Sequence, residues 1–377
     1  AAEAAEREYS LLLDDNPEHL QALNNLSALL TDRGRIRQAA SLLERALRLA
    51  PDSPELLINL GRASLHAGDV DRAVSAYRQV LELQPERAEA HSNLLACLNY
   101  LPETDPVANL DAHRLWAERH AGILTAFRVW NNEPDPERQL RIGYVSPDLS
   151  EHSVARFFES VLGEHDRSRF EVTCYADVPH PDAHTDRLRQ LSDRWRDSHG
   201  WTHQQLADRV REDGIDILVD LAGHTANNRM PVFSCRPAPV QVTWLGYPNT
   251  TGVPAIEYRI TDARADPPGA TDEFHTETLV RLPACFINYH PPDNAPAVGA
   301  LPALSGGGVT FGSFNNLAKT TPAVIRTWSG ILAALPGARL LLKSRGTADP
   351  DVRQRLHEQF SEHGIAADRI VFHSAVP

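Results

Sequence analysis

Along the first hundred residues, apolar positions recur at helical spacing, and the recurrence itself has a period. Leu26, Leu60 and Leu94 stand 34 residues apart, and Asn25, Asn59 and Asn93 keep the same interval, as do Pro17, Pro51 and Pro85. Gly34 pairs with Gly68, and Ala39 with Ala73. Proline stops each second helix, glycine makes the turn between two helices, and alanine lets them approach closely. Beyond residue 139 the pattern changes to short β-branched runs: RIGYVS (141–146), FEVTCYA (170–176), IDILVDL (215–221), VQVTWLG (240–246) and EYRITD (257–262). Helical stretches near 153–163, 184–193 and 202–213 separate several of them, and such alternation predicts a doubly wound parallel sheet. A second series follows: VTFGSF (309–314), a helix near 321–335, RLLLKS (339–344), a helix near 350–362, and RIVFHS (369–374).

A helix–turn–helix period of 34 residues is the tetratricopeptide signature. The chain opens in a second helix (about 1–14), gives two full repeats and ends the array with a first helix near 88–99. With no N-terminal capping helix of its own, the array is expected to begin earlier in the natural protein. The domain plan is therefore repeats over 1–100, a helical linker over 101–139 and a Rossmann-like domain over 140–285. A Pro- and Gly-rich linker over 286–308 leads to the start of a second Rossmann-like domain over 309–377. Three strands and two helices rarely complete such a domain, so this last one reads as truncated.

Composition narrows the function. The net charge of −13 argues against a nucleic-acid surface, which needs clustered arginine and lysine. Cys97, Cys174, Cys235 and Cys285 are widely spaced and read as reduced thiols, as in a cytoplasmic protein. No apolar run reaches membrane-spanning length, so no membrane partner is expected. Phosphate-binding, dinucleotide and zinc-protease fingerprints are missing, and the GGG at 306–308 precedes a strand rather than following one. His180 and His184 have a proline between them and lack a third ligand, so no metal is expected.

Three loops carry candidate chemistry. SPDLSEHSVARFF (146–158) follows the first strand and holds one histidine, His152, either a base near a substrate hydroxyl or a helix cap. DLAGHTANN (220–228) repeats the construction; His224 and Thr225 point at the same edge as ligand contacts, or the segment is a helix cap made by Thr225 or Asn227. SFNNLAKTTP (313–322) places Asn316 and Lys319 after the first strand of the second half. The chain has only two lysines, and Lys319 is either a solvated cation or a point charge for phosphate. The asparagines at 25, 59 and 93 recur on the first helices of the repeats, where amides can either bond within the helix array or grip a peptide backbone.

Taken together, these blocks resemble glycosyltransferase family 41, the protein O-GlcNAc transferases and their SPINDLY relatives. The resemblance rests on the repeats and on RIGYVSPDLSEHSV, REDGIDILVDLAGHTANN, RPAPVQVTWLGYPNTTG, YRITDARADPPG, LVRLPACF and TFGSFNNLAK. It implies α plus α/β architecture: tetratricopeptide repeats, then a GT-B pair of Rossmann-like domains facing a cleft. It also implies metal-independent, inverting transfer of a sugar to Ser/Thr hydroxyls of proteins held in the repeat groove. The donor is a nucleotide sugar, UDP-GlcNAc, or GDP-fucose as in the SPINDLY branch. His152 matches a histidine assigned as base or acceptor-site residue, and Asp208, in LADRV, a carboxylate also assigned to proton removal. Asn316 matches an amide at the donor nucleotide, and Lys319 the lysine that stabilises the departing diphosphate. The asparagines match the peptide grip. A homodimer is allowed. The family's remaining donor segment would lie beyond Pro377, so the chain as given is expected to be inactive alone. A tetratricopeptide scaffold without catalysis is the competing class.

Overall fold

The computed structural model describes residues 2–120, 122, 124–135, 137–291, 295–305 and 308–374. The chain forms two compact units: residues 1–103 together with 296–377, and residues 104–295.

The repeats form six helices: α1 (Ala2–Asp15), α2 (Leu20–Asp32), α3 (Ile36–Leu49), α4 (Pro54–Ala67), α5 (Val70–Leu83) and α6 (Ala88–Leu98). Pro17, Pro51 and Pro85 fall in the turns between repeats. Gly34 (φ +73°) and Gly68 (φ +79°) make the turns within them, in the left-handed region where a Cβ is disfavoured. Ala39 and Ala73 are fully buried, as close helix packing requires.

The second unit begins with α7 (Pro106–His120) and is built on seven strands: β1 (Leu140–Ser146), β2 (Phe170–Ala176), β3 (Arg194–Asp197), β4 (Ile217–Asp220), β5 (Val240–Thr243), β6 (Tyr258–Asp262) and β7 (Thr278–Leu282). Helices α8 (Ser153–Gly163), α9 (Ala183–Leu191), α10 (His203–Glu212) and the short α11 (Met230–Ser234) alternate with the first five strands. The sheet is parallel, in the order β3-β2-β1-β4-β5-β6-β7. Both faces of β1 are covered, which is why its run from Ile142 to Ser146 is continuously buried.

Three sequence expectations change. The edge strands β3 and β7 were not anticipated; RWRD and TLVRL alternate too weakly to signal burial, since an edge packs little of itself. The run over 240–246 is strand only to Thr243, because Leu245 turns into the left-handed region (φ +74°). Within the expected linker, α7 is core: Leu110, His113, Trp116 and His120 are buried. The GGG at 306–308 lies outside the described residues apart from Gly308.

The first unit is completed by β8 (Thr310–Ser313), α12 (Pro322–Ala334), β9 (Arg339–Ser344), α13 (Pro350–Ser361) and β10 (Ile370–Ser374). Its three strands are parallel, in the order β10-β9-β8. This sheet shares a core with the repeats: Ile36 and Ala67 pack in one cluster with Leu317, Ile325, Leu340 and Phe360. Buried Asp349 joins them as a hydrogen-bond acceptor. One carboxylate oxygen takes the N–H of Arg37 (2.7 Å), in the first turn of α3, and the other that of Asp351 (2.9 Å), in the first turn of α13. Arg35, at the α3 N-cap, supplies no side-chain cap, so Asp349, 312 positions from Arg37, does so.

Candidate functional site

In the second unit the strand order reverses direction between β1 and β4, the switch point at whose carboxyl edge ligands bind in doubly wound sheets. The loop after β1 carries His152, in extended conformation at the N-cap of α8. Its Nδ1 accepts the N–H of Val154 (3.3 Å) and stands 3.7 Å from an Asp148 carboxylate oxygen. About half of the His152 side chain is exposed, whereas Asp148 is mostly covered. Burial pushes the Asp148 carboxyl up, and the His152 charge opposes this. His152 is thus a cap and a solvent-facing imidazole at once. Asp148 escaped the sequence reading; its position four residues before the histidine was the available signal.

The loops after β4 and β5 are pressed together. A Cβ on Gly246 would lie 1.9 Å from the Leu221 oxygen, and one on Gly223 (φ +56°) 2.2 Å from the Tyr247 Cβ. Non-glycine residues take positive φ beside them, at Asn227 and Leu245. Such strain persists only where neighbours enforce it. Buried Asp220 helps to do so, accepting the N–H groups of Ala222 (3.0 Å) and Gly223 (2.8 Å) and the Thr243 hydroxyl (2.7 Å). Burial still pushes its carboxyl up to about 6.

Here the expectation for His224 is corrected. Its ring is fully buried, bonded through Nε2 to the Thr251 carbonyl (2.7 Å) and packed against Trp116, His113 and Tyr247. A side chain enclosed in this way supports the loops and does not present itself to a donor. Thr225 donates its hydroxyl to the Ala222 carbonyl (2.8 Å), a turn-closing bond. The neighbouring His113 donates from Nδ1 to the Asn109 carbonyl (2.7 Å) and receives the Tyr247 hydroxyl at Nε2 (2.8 Å). Burial lowers it to about 4, so it is neutral in the fold. This network joins α7 to the β4 and β5 loops and was not legible as a motif.

Asp208 lies on the exposed side in the middle of α10 and accepts from Gln204 one turn away (2.8 Å).

The remaining candidates lie in the first unit. Leu317–Lys319 form a tight 3-10 turn between β8 and α12. The Asn316 side chain accepts the Ala318 N–H (3.2 Å), and its carbonyl the Lys319 N–H (3.0 Å). Leu317 and Ala318 are buried, while the Lys319 side chain is exposed. Immediately afterwards Thr321 caps α12, whose first-turn N–H groups and dipole favour an anion. On the repeats, Asn25, Asn59 and Asn93 are half-buried on α2, α4 and α6. The Asn25 amide donates to the Tyr9 hydroxyl (3.3 Å) and that of Asn59 to Asn24 (2.7 Å). Among the described residues, no group of three His, Cys, Asp or Glu side chains is placed to hold a metal.

Glycosyl transferase family 41 matches residues 120–291, and tetratricopeptide repeat families match residues 2–54 and 30–98. A lysine-to-methionine mutant of the Thermobaculum terrenum O-GlcNAc transferase superposes over the whole chain with a TM-score of 0.94 at 42% identity, and this chain covers 71% of it. The chain belongs to glycosyltransferase family 41. Its relatives in this family include the probable UDP-N-acetylglucosamine–peptide N-acetylglucosaminyltransferases SPINDLY of Petunia hybrida, 45% identical over 294 residues, and of Arabidopsis thaliana, 45% over 293. Each match takes in 77% of this chain. The enzyme named SEC of A. thaliana is 32% identical over 244 residues, or 62% of this chain and 25% of SEC. The chain spans about a third of the length of the SPINDLY relatives. The repeats and the two parallel sheets are those of the family's GT-B type fold.

Proposed function

We propose that this chain is the repeat-bearing part of a protein glycosyltransferase that moves N-acetylglucosamine from UDP-N-acetylglucosamine to serine or threonine hydroxyls. Lys319 carries the reading. One of only two lysines, it is exposed on a strand-to-helix turn next to the N-terminus of α12. In the inverting reaction the hydroxyl oxygen bonds to C1 of the sugar as the bond from C1 to the diphosphate oxygen breaks. The nucleoside diphosphate leaves with the electron pair. A compact ammonium beside a helix N-terminus suits that growing charge, and such preorganised donors are worth several kcal/mol in the transition state.

His152 takes the hydroxyl proton. With Nδ1 accepting from Val154, the neutral ring carries its hydrogen on Nε2 and is a donor there. To accept at Nε2 it must carry the hydrogen on Nδ1, and Asp148 is the carboxylate on that side. Asn25, Asn59 and Asn93 line up as amides for an acceptor peptide. The donor sugar has a second reading, GDP-fucose, which rests on the SPINDLY-like wording of GHTANN (223–228), YPNTTG (247–252) and SFNNLAK (313–319); the SPINDLY relatives themselves are named for UDP-N-acetylglucosamine.

The test is to incubate the complete protein with an acceptor peptide and either nucleotide sugar, and to weigh the peptide. A gain of one N-acetylhexosamine supports the reading, a gain of one deoxyhexose the second, and no gain from either donor the non-catalytic scaffold. Lys319→Met should lower turnover at least a hundredfold without changing the melting temperature. A variant with near wild-type turnover would remove Lys319 from the mechanism.

A further inference from the structure

The turn that presents Lys319 does not rest on its own sheet alone. Leu317, two residues before it, is buried against the repeats. A Cβ built on Gly68, in the turn between α4 and α5, would stand 3.1 Å from both the Cβ and the carbonyl oxygen of Leu317. From the other side, a Cβ on Gly346 would lie 2.9 Å from a Leu317 methyl and 2.3 Å from the His66 carbonyl oxygen. Leu317 is therefore held between two glycines, one from the repeats and one from the loop after β9. The guanidinium of Arg355 donates to the Ala67 carbonyl and closes the same corner.

What fixes Leu317 also fixes Lys319. The turn is closed by Thr320 N–H to the Leu317 carbonyl (2.8 Å) and by Lys319 N–H to the Asn316 carbonyl (3.0 Å). A displacement of Leu317 by a few tenths of an ångström passes through these bonds to the lysine backbone. The equivalent turn one repeat earlier meets the neighbour of Gly346 instead of Leu317: a Cβ on Gly34 would lie 2.4 Å from the Arg345 carbonyl oxygen. Left-handed φ alone explains glycine at both positions, but asparagine also tolerates that conformation. The close approach to Leu317 is what asparagine would break at residue 68.

We propose that Gly68, through Leu317, is a positioning residue for Lys319, so that the second tetratricopeptide repeat acts on the donor side of the reaction as well as offering amides to the acceptor. This rests on the reading of Lys319 as the leaving-group cation. A misplaced cation forfeits transition-state stabilisation while acceptor binding on the repeats stays intact, so the signature is a fall in kcat at constant acceptor KM.

The experiment measures kcat and acceptor-peptide KM for Gly68→Asn in the complete protein, in the wild-type and Lys319→Arg backgrounds, with Gly364→Asn, at a left-handed glycine (φ +76°) whose Cβ would meet open space, as the control. Gly68→Asn should lower kcat about tenfold in the wild-type background and less than twofold beside Lys319→Arg, with peptide KM within twofold. Gly364→Asn should keep kcat within twofold of wild type. An equal loss in both backgrounds, or an unchanged kcat, overturns the proposal. If Gly68→Asn does not fold, Leu317→Val alters the same contact from the other side and is read by the same outcomes. Lys319→Met separates the two ideas. Full turnover there removes the reading of Lys319 and the proposal with it, while a dead Lys319→Met with an unimpaired Gly68→Asn removes the proposal alone.

Discussion

At the scale of single residues, the carboxyl edge of the larger sheet combines one open imidazole with several closed polar groups. His152 gains a basic Nε2 only when Asp148 holds the hydrogen on Nδ1. Asp148→Asn should therefore lower kcat/KM by about ten- to a hundredfold. An unchanged kcat/KM would leave Asp148 no part in the proton transfer. The closed groups bear on stability. His113, lowered to about 4, is neutral in the fold, so stability is intact above pH 6.5 and falls as pH drops towards 4. Asp220, raised to about 6, has the opposite sign: its contribution is fully present below the ordinary carboxylate range and is lost as pH rises through 6. The two offset one another. In His113→Gln the fall from pH 7 to pH 5 should be smaller than in wild type by about 2 kcal/mol, as read by urea unfolding at both pH values. Such pairs are invisible in a sequence, because pKa values depend on which loops are pressed together.

Elements were legible where a period repeats and illegible where partners are distant. The repeats announce themselves because each turn reuses glycine, alanine and proline at one interval. The buried strands β1 and β2 show as short runs rich in apolar and β-branched residues. The edges β3 and β7 do not, and α7 read as a connector because its partners, Tyr247 and His224, lie more than a hundred residues away. The same distance hides the second cap on Asp349. Asp349→Ala removes a cap from α13 and the side-chain cap on the first turn of α3, and should cost about 2 kcal/mol by urea unfolding. Asp69→Ala, which uncaps α5 alone, should cost about 1 kcal/mol. Equal losses would show the long-range cap to be idle. Within the candidate site, position after a strand singled out His152 and Lys319, and both side chains are exposed. It misled for His224, because a loop at a sheet edge can face inward as readily as outward.

On the scale of the whole molecule, one compact unit is discontinuous in sequence. Residues 1–103 share it with those after residue 295, and Ile36 and Ala67 sit in its second core. Cutting away the repeats would strip that core of one wall. A chain beginning at Thr104 should keep amide-exchange protection on β1, β2 and β4 and lose it on β8, β9 and β10. Retained protection on β9 would show that the small sheet stands without the repeats. The sequence drew a boundary near residue 100 and expected three separate bodies in a row. It had no means of showing that the first and the last are one.

That discontinuity sets a schedule for synthesis. The repeats leave the ribosome first, and nearly two hundred residues of the other unit must follow before the small sheet begins to appear. At about 5–20 residues per second, this leaves an interval of roughly 10–40 s. During it, Ile36 and Ala67 have no partner, and the first helical turn of α3 waits for its cap. A nascent chain with an apolar flank exposed for that long is a client for a holding chaperone, and the slow step in its biogenesis is the arrival of its own far end.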